Sequence, residues 1–119
     1  MKNFLAVFLG TPEAAEQSGW NALSAQTQEE RTQAGIKAWH AWMALNAERI
    51  VYPGGPIGKT KRVASAGVAD GRNAICGYVV VAASTHEEAA KLFVNHPHFA
   101  IFPGESVEIM ECLPTPGMG

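Results

Sequence analysis

The sequence predicts an α+β fold: a ferredoxin-like βαββαβ subunit with an antiparallel four-stranded sheet and two helices on one face. Two observations predict it. Strand-like and helix-like segments follow one another in the order strand, helix, strand, strand, helix, strand, and both helical segments open on a capping-box pattern. The length of 119 residues suits a single domain spanning residues 1–119. Hydrophobic residues form 47% of the chain, so a packed core is expected.

The first half of the pattern is a strand followed by a long helix. Residues 4–9 form a short apolar run, which is typical of a strand buried on both faces. Residues 11–26 are mixed and predict a loop that can include one helical turn. Thr27–Glu30 has capping-box spacing, so a helix is expected from there to about Ala47. Its apolar stripe is formed by Ile36, Trp39 and Met43, with Trp39 at the centre. Gly35 predicts close packing of this helix on the sheet.

The second half contains three predicted strands and a helix. Residues 50–52 begin a strand in which the following prolines are compatible only with a sheet edge or a bulge. Residues 59–68 are expected to form an extended segment, and Asp70-Gly71 predicts the hairpin turn. Residues 75–83 give the strongest strand prediction, because they are almost continuously apolar.

A second helix and a final strand complete the pattern. Ser84–Glu87 has capping-box spacing, so a helix should begin there and end before Pro97, which disfavours helical geometry at the preceding residue. Residues 107–113 then form the last strand, which should lie beside the first. Cys76 and Cys112 each lie in an apolar, strand-like segment and are expected to be buried. This strand order separates them by two strand spacings, about 10 Å, which is too far for a disulfide, so both are expected to be reduced.

Charge and hydropathy exclude several classes of function. The net charge is −2 and the pI is about 6.0, whereas a duplex-binding protein usually carries a basic stripe. No nucleic-acid partner is therefore expected. No run approaches the roughly 20 apolar residues of a membrane span, so no membrane partner is expected either. The apolar start is too short for a signal peptide and lacks a cleavage site, which predicts a cytoplasmic protein.

The two-sided apolar character of the strands predicts a homodimer. Phe4, Ala6 and Phe8 point to one face of the sheet, and Leu5, Val7 and Leu9 to the other. Two helices can cover only one of these faces. The simplest cover for the second is the same face of another copy, related by a two-fold axis. The alternative is that residues 11–26 fold over the sheet as a lid.

The sequence also resembles the YCII-related family, or DGPF-domain group, of dimeric α/β-barrel proteins. The resemblance rests on an ordered set of segments. These are Gly54-Gly55-Pro56, Gly77–Val81 leading through Ser84 into Glu87–Ala90, His96–Phe99, Ile101–Gly104 and Val107–Ile109. Together they span most of the chain from about residue 31 to 114.

The resemblance implies a ferredoxin-like subunit and a sheet-to-sheet dimer. Relatives resemble enzymes that act on small ring-derived acids and chlorinated aromatic intermediates, such as muconolactone isomerases and dehydrochlorinases, and many have no known activity. The family is associated with a His-Asp pair whose histidine lies on the first helix, which here is His40. Relatives often carry Asp-Pro where this chain has His96-Pro97, so the pair departs from the family pattern.

Two histidines are candidate catalytic residues. His40 lies at the edge of the apolar stripe, where it can reach a pocket between helix and sheet and act as a general base. His96 follows the second helix and is held in an extended conformation by Pro97, so both imidazoles are expected to border one cavity. The alternative for each is a structural histidine that bonds to backbone groups or faces solvent.

Other residues are candidates for binding a substrate. Lys59 and Lys61 could hold a carboxylate, or could simply deter edge pairing on a solvated strand. His98 is stiffened by Pro97, and Trp20 could close a pocket. The histidines lack the spacing of a metal motif, so no metal is expected.

Two functions remain open. One is a cofactor-independent isomerase or lyase that moves a proton on a small organic acid through a histidine, since no nucleophile motif or cofactor motif is present. The other is a non-catalytic binding or accessory protein that uses the same pocket. Convergent imidazoles in a shared cavity would favour the enzyme, and an apolar pocket with imidazoles turned to solvent would favour the binder.

Overall fold

A ferredoxin-like α+β architecture is present in the computed structural model of the protein, which describes residues 1–117. Its strands are β1 (Lys2–Leu9), β2 (Ile50–Pro56), β3 (Thr60–Ala64), β4 (Gly67–Gly71), β5 (Ile75–Ala83) and β6 (Ser106–Glu111). Its helices are α1 (Pro12–Gln17), α2 (Ala25–Leu45), α3 (His86–Lys91) and α4 (Pro97–Ala100), with a 3-10 turn at Trp20–Ala22. The main sheet has the order β2-β5-β1-β6, and every neighbouring pair is antiparallel. The predicted place of β1, between β5 and β6, is confirmed.

The core lies between the helical face of the sheet and helices α2 and α3. Phe4 of β1 lies opposite Val81 of β5, and both side chains are fully buried. Trp42 of α2 packs on Phe93, with ring centroids 5.1 Å apart. The indole Nε1–H of Trp42 donates to the Leu92 carbonyl at 2.8 Å, which ties α2 to the end of α3. Trp42 is therefore the most deeply buried tryptophan of α2, whereas the sequence predicted Trp39 at the centre of the stripe.

The opposite face of the sheet carries a row of apolar side chains. Leu5 lies opposite Val80 on one side and opposite Met110 on the other. Because successive side chains alternate along a strand, these three face away from the core. No residue between 11 and 26 is buried. A segment packed over an apolar face would bury its own apolar atoms, so residues 11–26 do not form the lid that was the alternative to a dimer.

The starts of α2 and α3 differ by three residues and by one residue, respectively, from the capping boxes expected in the sequence. Ser24, not Thr27, caps α2, and its hydroxyl accepts from the Thr27 N–H at 3.1 Å. Thr85, not Ser84, caps α3 by accepting from the Glu88 N–H at 3.1 Å. Ser and Thr are both favoured N-cap residues, so the local pattern does not choose between neighbouring ones.

Strand β2 is an edge strand with irregular pairing, as its prolines require. Its register with β5 shifts twice, between Ile50 and Tyr52 and again between Tyr52 and Gly55. Gly54 has a φ of 58°, and a Cβ built there would lie 2.1 Å from the Tyr78 carbonyl oxygen. Only glycine fits this close approach, which sets the bend at the end of β2.

The chain between β2 and β5 forms a hairpin whose turn is not where the sequence placed it. Strands β3 and β4 pair around Ser65-Ala66, with Val63 opposite Val68. Asp70 and Gly71, the expected turn, lie at the end of β4 instead. Asp70 forms an ion pair with Lys61 on β3, so its carboxylate supports the ladder instead of the turn.

The second helix ends before Pro97, as expected, whereas the cysteines differ from expectation. Helix α3 ends at Lys91, and Pro97 then occupies the first position of the separate helix α4, where its missing N–H costs nothing. Cys76 and Cys112 are free, as predicted, but both are exposed and not buried. No helix within residues 1–117 is long and apolar enough to cross a lipid bilayer.

Replacing Trp42 by Phe should destabilise the fold by about 1–3 kcal/mol, because it leaves the Leu92 carbonyl without its indole donor and opens a void beside Phe93. Urea denaturation measures the loss. The control is Trp20→Phe, since the side chain of Trp20 is not buried. An equal effect of the two substitutions would contradict the role assigned to Trp42.

Candidate functional site

A cavity of about 440 Å³ lies between α2 and the β2–β5 side of the sheet. This volume is in the range of roughly 300–1,000 Å³ that small-molecule sites occupy. Its lining residues are Phe8, Ile36, Trp39, His40, Trp42, Met43, Pro53, Gly55, Pro56, Cys76, Gly77, Tyr78, Val79, His98 and Phe102. The lining is mainly apolar and aromatic, with two histidines.

Three aromatic rings form one wall of the cavity. The ring centroids of Phe8 and Trp39 lie 4.9 Å apart, and those of Trp39 and Phe102 lie 6.2 Å apart. A Cβ built on Gly35 would approach the Phe102 ring to 2.5 Å. The glycine predicted to let α2 pack closely therefore admits the Phe102 ring, not the sheet. The wall offers flat apolar surfaces against which a ring can stack.

His40 is placed by α2 at the margin of the cavity. It lies one residue beyond Trp39 on the same helix, and it is both exposed and part of the cavity lining. A histidine in this position can contact a bound molecule and exchange protons with water. This agrees with the predicted position of His40 at the edge of the apolar stripe.

His98 is the second histidine of the cavity, and it is held rigidly. Its Nε2–H donates to the Leu9 carbonyl at 2.6 Å, and only 6% of the residue is exposed. Burial lowers the pKa of His98, although backbone hydrogen bonds to Leu9 and Ser106 oppose the shift. A Cβ built on Gly104 would lie 2.4 Å from the His98 ring, so glycine is required beside it.

His96 is fully buried in the aromatic core and is not among the residues that line the cavity. Its ring centroid lies 4.5 Å from Trp39, 4.8 Å from Trp42 and 5.0 Å from Phe8. Its Nδ1 accepts the His98 N–H at 3.0 Å and caps α4. Burial, followed by repulsion from His98, lowers the pKa of His96 to about 4.

The expectation that His40 and His96 border one cavity is therefore wrong, because the turn after α3 directs His96 into the core. The structure brings His40 together with His98 instead. Proline at position 97 starts α4, and the helical turn that follows places His96 and His98 in different environments.

The other predicted binding residues lie outside the cavity lining. Lys59 and Lys61 belong to the hairpin segment, where Lys61 pairs with Asp70. Trp20 lies in the 3-10 turn, where its carbonyl accepts from Gln28. Within residues 1–117, no Lys, Arg, Asp or Glu lines the cavity. The predicted basic clamp for a carboxylate is consequently not formed within one protomer.

Several lining residues were not predicted as site residues. Cys76 is the second residue of β5, and its thiol donates to the Phe8 carbonyl at 3.2 Å. The residue as a whole is exposed, but partial desolvation of the thiol raises its pKa. Phe8 and Phe102 carry the aromatic wall, yet in the sequence they look like ordinary core residues. Gly35 was the one local indication of a close approach to α2, and it does not identify the approaching ring.

The geometry of the cavity sets what it can do chemically. Aromatic surfaces and an exposed imidazole suit the binding of a flat molecule and the transfer of a proton. Within residues 1–117, no group of three or more His, Cys, Asp or Glu side chains is arranged to hold a metal ion.

The fold and the cavity together define a ferredoxin-like α+β protein with a site between helix and sheet. No protein-family model matches the chain, and no curated protein does. Among solved structures, the chain is similar to 5-chloro-2-hydroxyhydroquinone dehydrochlorinase (TftG) from Burkholderia phenoliruptrix AC1100, in complex with 2,5-dihydroxybenzoquinone. The two are 14% identical over 91% of this chain and 90% of that chain, with a TM-score of 0.50. At this identity the likeness shows the fold alone.

The buried neutral His96 should make the protein sensitive to acid. Its pKa is about 4 in the folded protein and 6.5 in the unfolded chain, so the unfolded chain binds the proton first as pH falls. The stability that neutral His96 contributes is complete above about pH 6.5 and is lost as pH falls towards 4, by up to about 3 kcal/mol. Urea denaturation across this pH range measures the loss.

His96→Asn is the matched variant, because an asparagine oxygen can still cap α4 but does not titrate. We expect a shallower decline of the unfolding free energy between pH 6.5 and 4 in this variant. Glu88 also has a lowered pKa, but it is present in both proteins and cancels in the comparison. His98 has a lowered pKa as well and is retained in the variant, so the variant should keep part of the decline. Identical pH profiles would contradict the assignment.

Proposed function

We propose that the protein binds a small ring-derived organic molecule in the cavity beneath α2 and that His40 transfers a proton on it without a cofactor. The observation that carries the proposal is a cavity of about 440 Å³ that joins an aromatic wall to two histidines. The reaction class is that of an isomerase or a lyase.

The chemistry assigned to His40 follows from its exposure. A neutral imidazole can remove a proton from a ring carbon next to a carbonyl group. Returning that proton to a neighbouring position completes an isomerisation. Loss of a leaving group from the adjacent carbon completes an elimination. His98, fixed on Leu9, serves to shape the wall beside the ring.

The polarity of the cavity lining limits the class of ligand that can bind. Since no charged side chain of residues 1–117 lines the cavity, one protomer offers no ion pair to a carboxylate. Hydroxyl and carbonyl groups on a ring fit such a site better than a carboxylate does. The similar dehydrochlorinase was solved with a single-ring quinone, and its name describes action on a hydroquinone. We therefore propose a hydroxylated ring or quinone as the ligand class. We also propose that the protein belongs to the YCII-related group, which its sequence motifs resemble.

The alternative is a protein that binds the same class of molecule without changing it. Two observations favour this alternative. The lining is mainly apolar, and the Nε2 of His98 is already engaged by the Leu9 carbonyl. A proton-transfer assay distinguishes the two functions, because binding alone does not exchange ring protons.

Hydroxylated quinones, hydroquinones and lactone acids should be compared by thermal shift, and the binders then followed by proton NMR in D₂O. We expect the uncharged or weakly acidic rings to raise the melting temperature most. His40→Ala should still bind them but exchange ring protons at least about a hundredfold more slowly, which is the low end of general-base effects of roughly 10²–10⁴.

The control for this experiment is His86→Ala. His86 is also exposed, but it bonds to the Ile109 carbonyl and does not line the cavity. It should leave both binding and exchange unchanged. Binding without exchange in the native protein would favour the non-catalytic alternative. If no member of the panel binds, the proposed ligand class is wrong.

We also propose that the protein is a homodimer formed through the open face of its sheet. Leu5, Val80 and Met110 form an apolar row on this face, and Met110 is 41% exposed. A self-complementary face packed about a two-fold axis would remove this row from water on both copies at once.

Sedimentation equilibrium tests the dimer. The native protein should be dimeric at micromolar concentration, and Val80→Glu should be a folded monomer because it places a charge in the centre of the face. Leu45→Glu is the control, since Leu45 is 84% exposed at the end of α2. A native protein that sediments as a monomer would overturn the proposal.

A further inference from the structure

Residues 57–73, here called the arm, form a folded hairpin that buries none of its own side chains. Strands β3 and β4 lie within it and pair with each other in a separate two-stranded sheet. No residue from 57 to 73 is buried. The arm leaves the main sheet at the end of β2, which is an edge strand.

A hairpin with this degree of exposure is expected to be marginal in water. Isolated two-stranded hairpins need a third strand or a packed face to be stable. Val63 and Val68 lie directly opposite one another, and they are 75% and 71% exposed. The radius of gyration of the chain is 16.4 Å, against about 13.5 Å for a compact domain of this length. Both observations indicate a projecting element that lacks its packing partner.

The charge of the arm is opposite to that of the rest of the chain. The arm carries four basic residues and one aspartate, a net charge of +3. The remainder carries five basic and ten acidic residues, a net charge of −5. An arm of this kind is attracted to the body of another copy of the same chain.

One carboxylate on the open face of the sheet would need a counter-charge in a dimer. Glu108 lies opposite Val7, so it shares the face of Leu5 and Val80, and it is exposed. Within residues 1–117, neither Glu108 nor Arg62 of the arm forms an ion pair. A carboxylate enclosed between two sheets is costly unless a cation pairs with it.

We infer that the arm of each protomer docks on the second copy of the chain, with Val63 and Val68 packed against it and Arg62 facing the acidic side that includes Glu108. The inference rests on the sheet-face dimer proposed above. It adds to that dimer a reciprocal contact, in which each copy supplies one arm and binds the arm of the other copy. The arm begins directly after Pro56, which lines the cavity of its own protomer, so docking also restrains the chain at the edge of that cavity.

Hydrogen-deuterium exchange across a concentration series tests the docking directly. Amides of residues 60–71 should gain protection in step with the fraction of dimer. In the monomeric variant Val80→Glu the same amides should exchange rapidly, although those of β1 and β5 stay protected. Protection of the arm that does not change with concentration would overturn the inference.

Two sets of variants separate the contributions of the arm. Val63→Ser with Val68→Ser should weaken the dimer at least about tenfold, because two valines lose their burial. Val94→Ser is the control, since Val94 is 67% exposed on the body of the protomer. Arg62→Glu should also weaken the dimer, and Glu108→Arg in the same chain should restore part of the affinity.

The outcomes distinguish the arm from the sheet-face dimer. A native dimer whose dissociation constant is unchanged in the double serine variant leaves the sheet-face dimer standing and refutes the arm. A dimer that weakens in the serine variant but not with Arg62→Glu refutes the charge pairing and keeps the apolar docking. Ligand binding by the serine variant, measured by thermal shift, reports on the cavity separately.

Discussion

The structure depends on a central strand that is apolar on both faces. Strand β1 pairs with β5 on one side and β6 on the other, and it places Phe4, Ala6 and Phe8 beneath the helices. The carbonyl groups at its end then hold the site together: Phe8 accepts from the Cys76 thiol, and Leu9 accepts from His98. The position of the cavity is thus a direct consequence of how β1 ends.

A cluster of aromatic and imidazole rings transmits this constraint to the helices. The His96 ring lies within 5.0 Å of the rings of Trp39, Trp42 and Phe8, measured between centroids. Because burial disfavours the charged imidazolium, His96 is neutral at pH 7, and its Nδ1 is available to cap α4. The same cap sets the direction of His98. The buried histidine is a structural element, and its rigidity positions the second histidine of the cavity.

The cavity and the arm differ in charge: the cavity lining is uncharged and the arm is basic. The cavity lining contains no charged side chain of residues 1–117, whereas the arm gathers four of the nine basic residues of the chain. A site that lacks fixed charge selects molecules by shape and by hydrogen bonding. A projecting basic hairpin selects a surface by charge. The two features therefore suit different partners, a small ring in the first case and a protein surface in the second.

The sequence by itself determined the order of the main-sheet strands and of helices α2 and α3, together with the edge position of β2, because hydrophobic periodicity, prolines and capping residues act over a few neighbouring residues. The central position of β1 followed from the connectivity of a split-βαβ unit. The sequence also placed His40 at the margin of the apolar stripe, since helical spacing is regular. It did not distinguish Ser24 from Thr27 as the cap of α2, because both side chains can accept the capping hydrogen bond. It also did not locate the hairpin turn at Ser65-Ala66, because the position of that turn depends on pairing along the whole hairpin. Only the tertiary structure decided that His96 enters the core while His98 lines the cavity. Two residues separated by one proline differ there because a single helical turn directs them to opposite environments, and no local pattern records which environment each will meet.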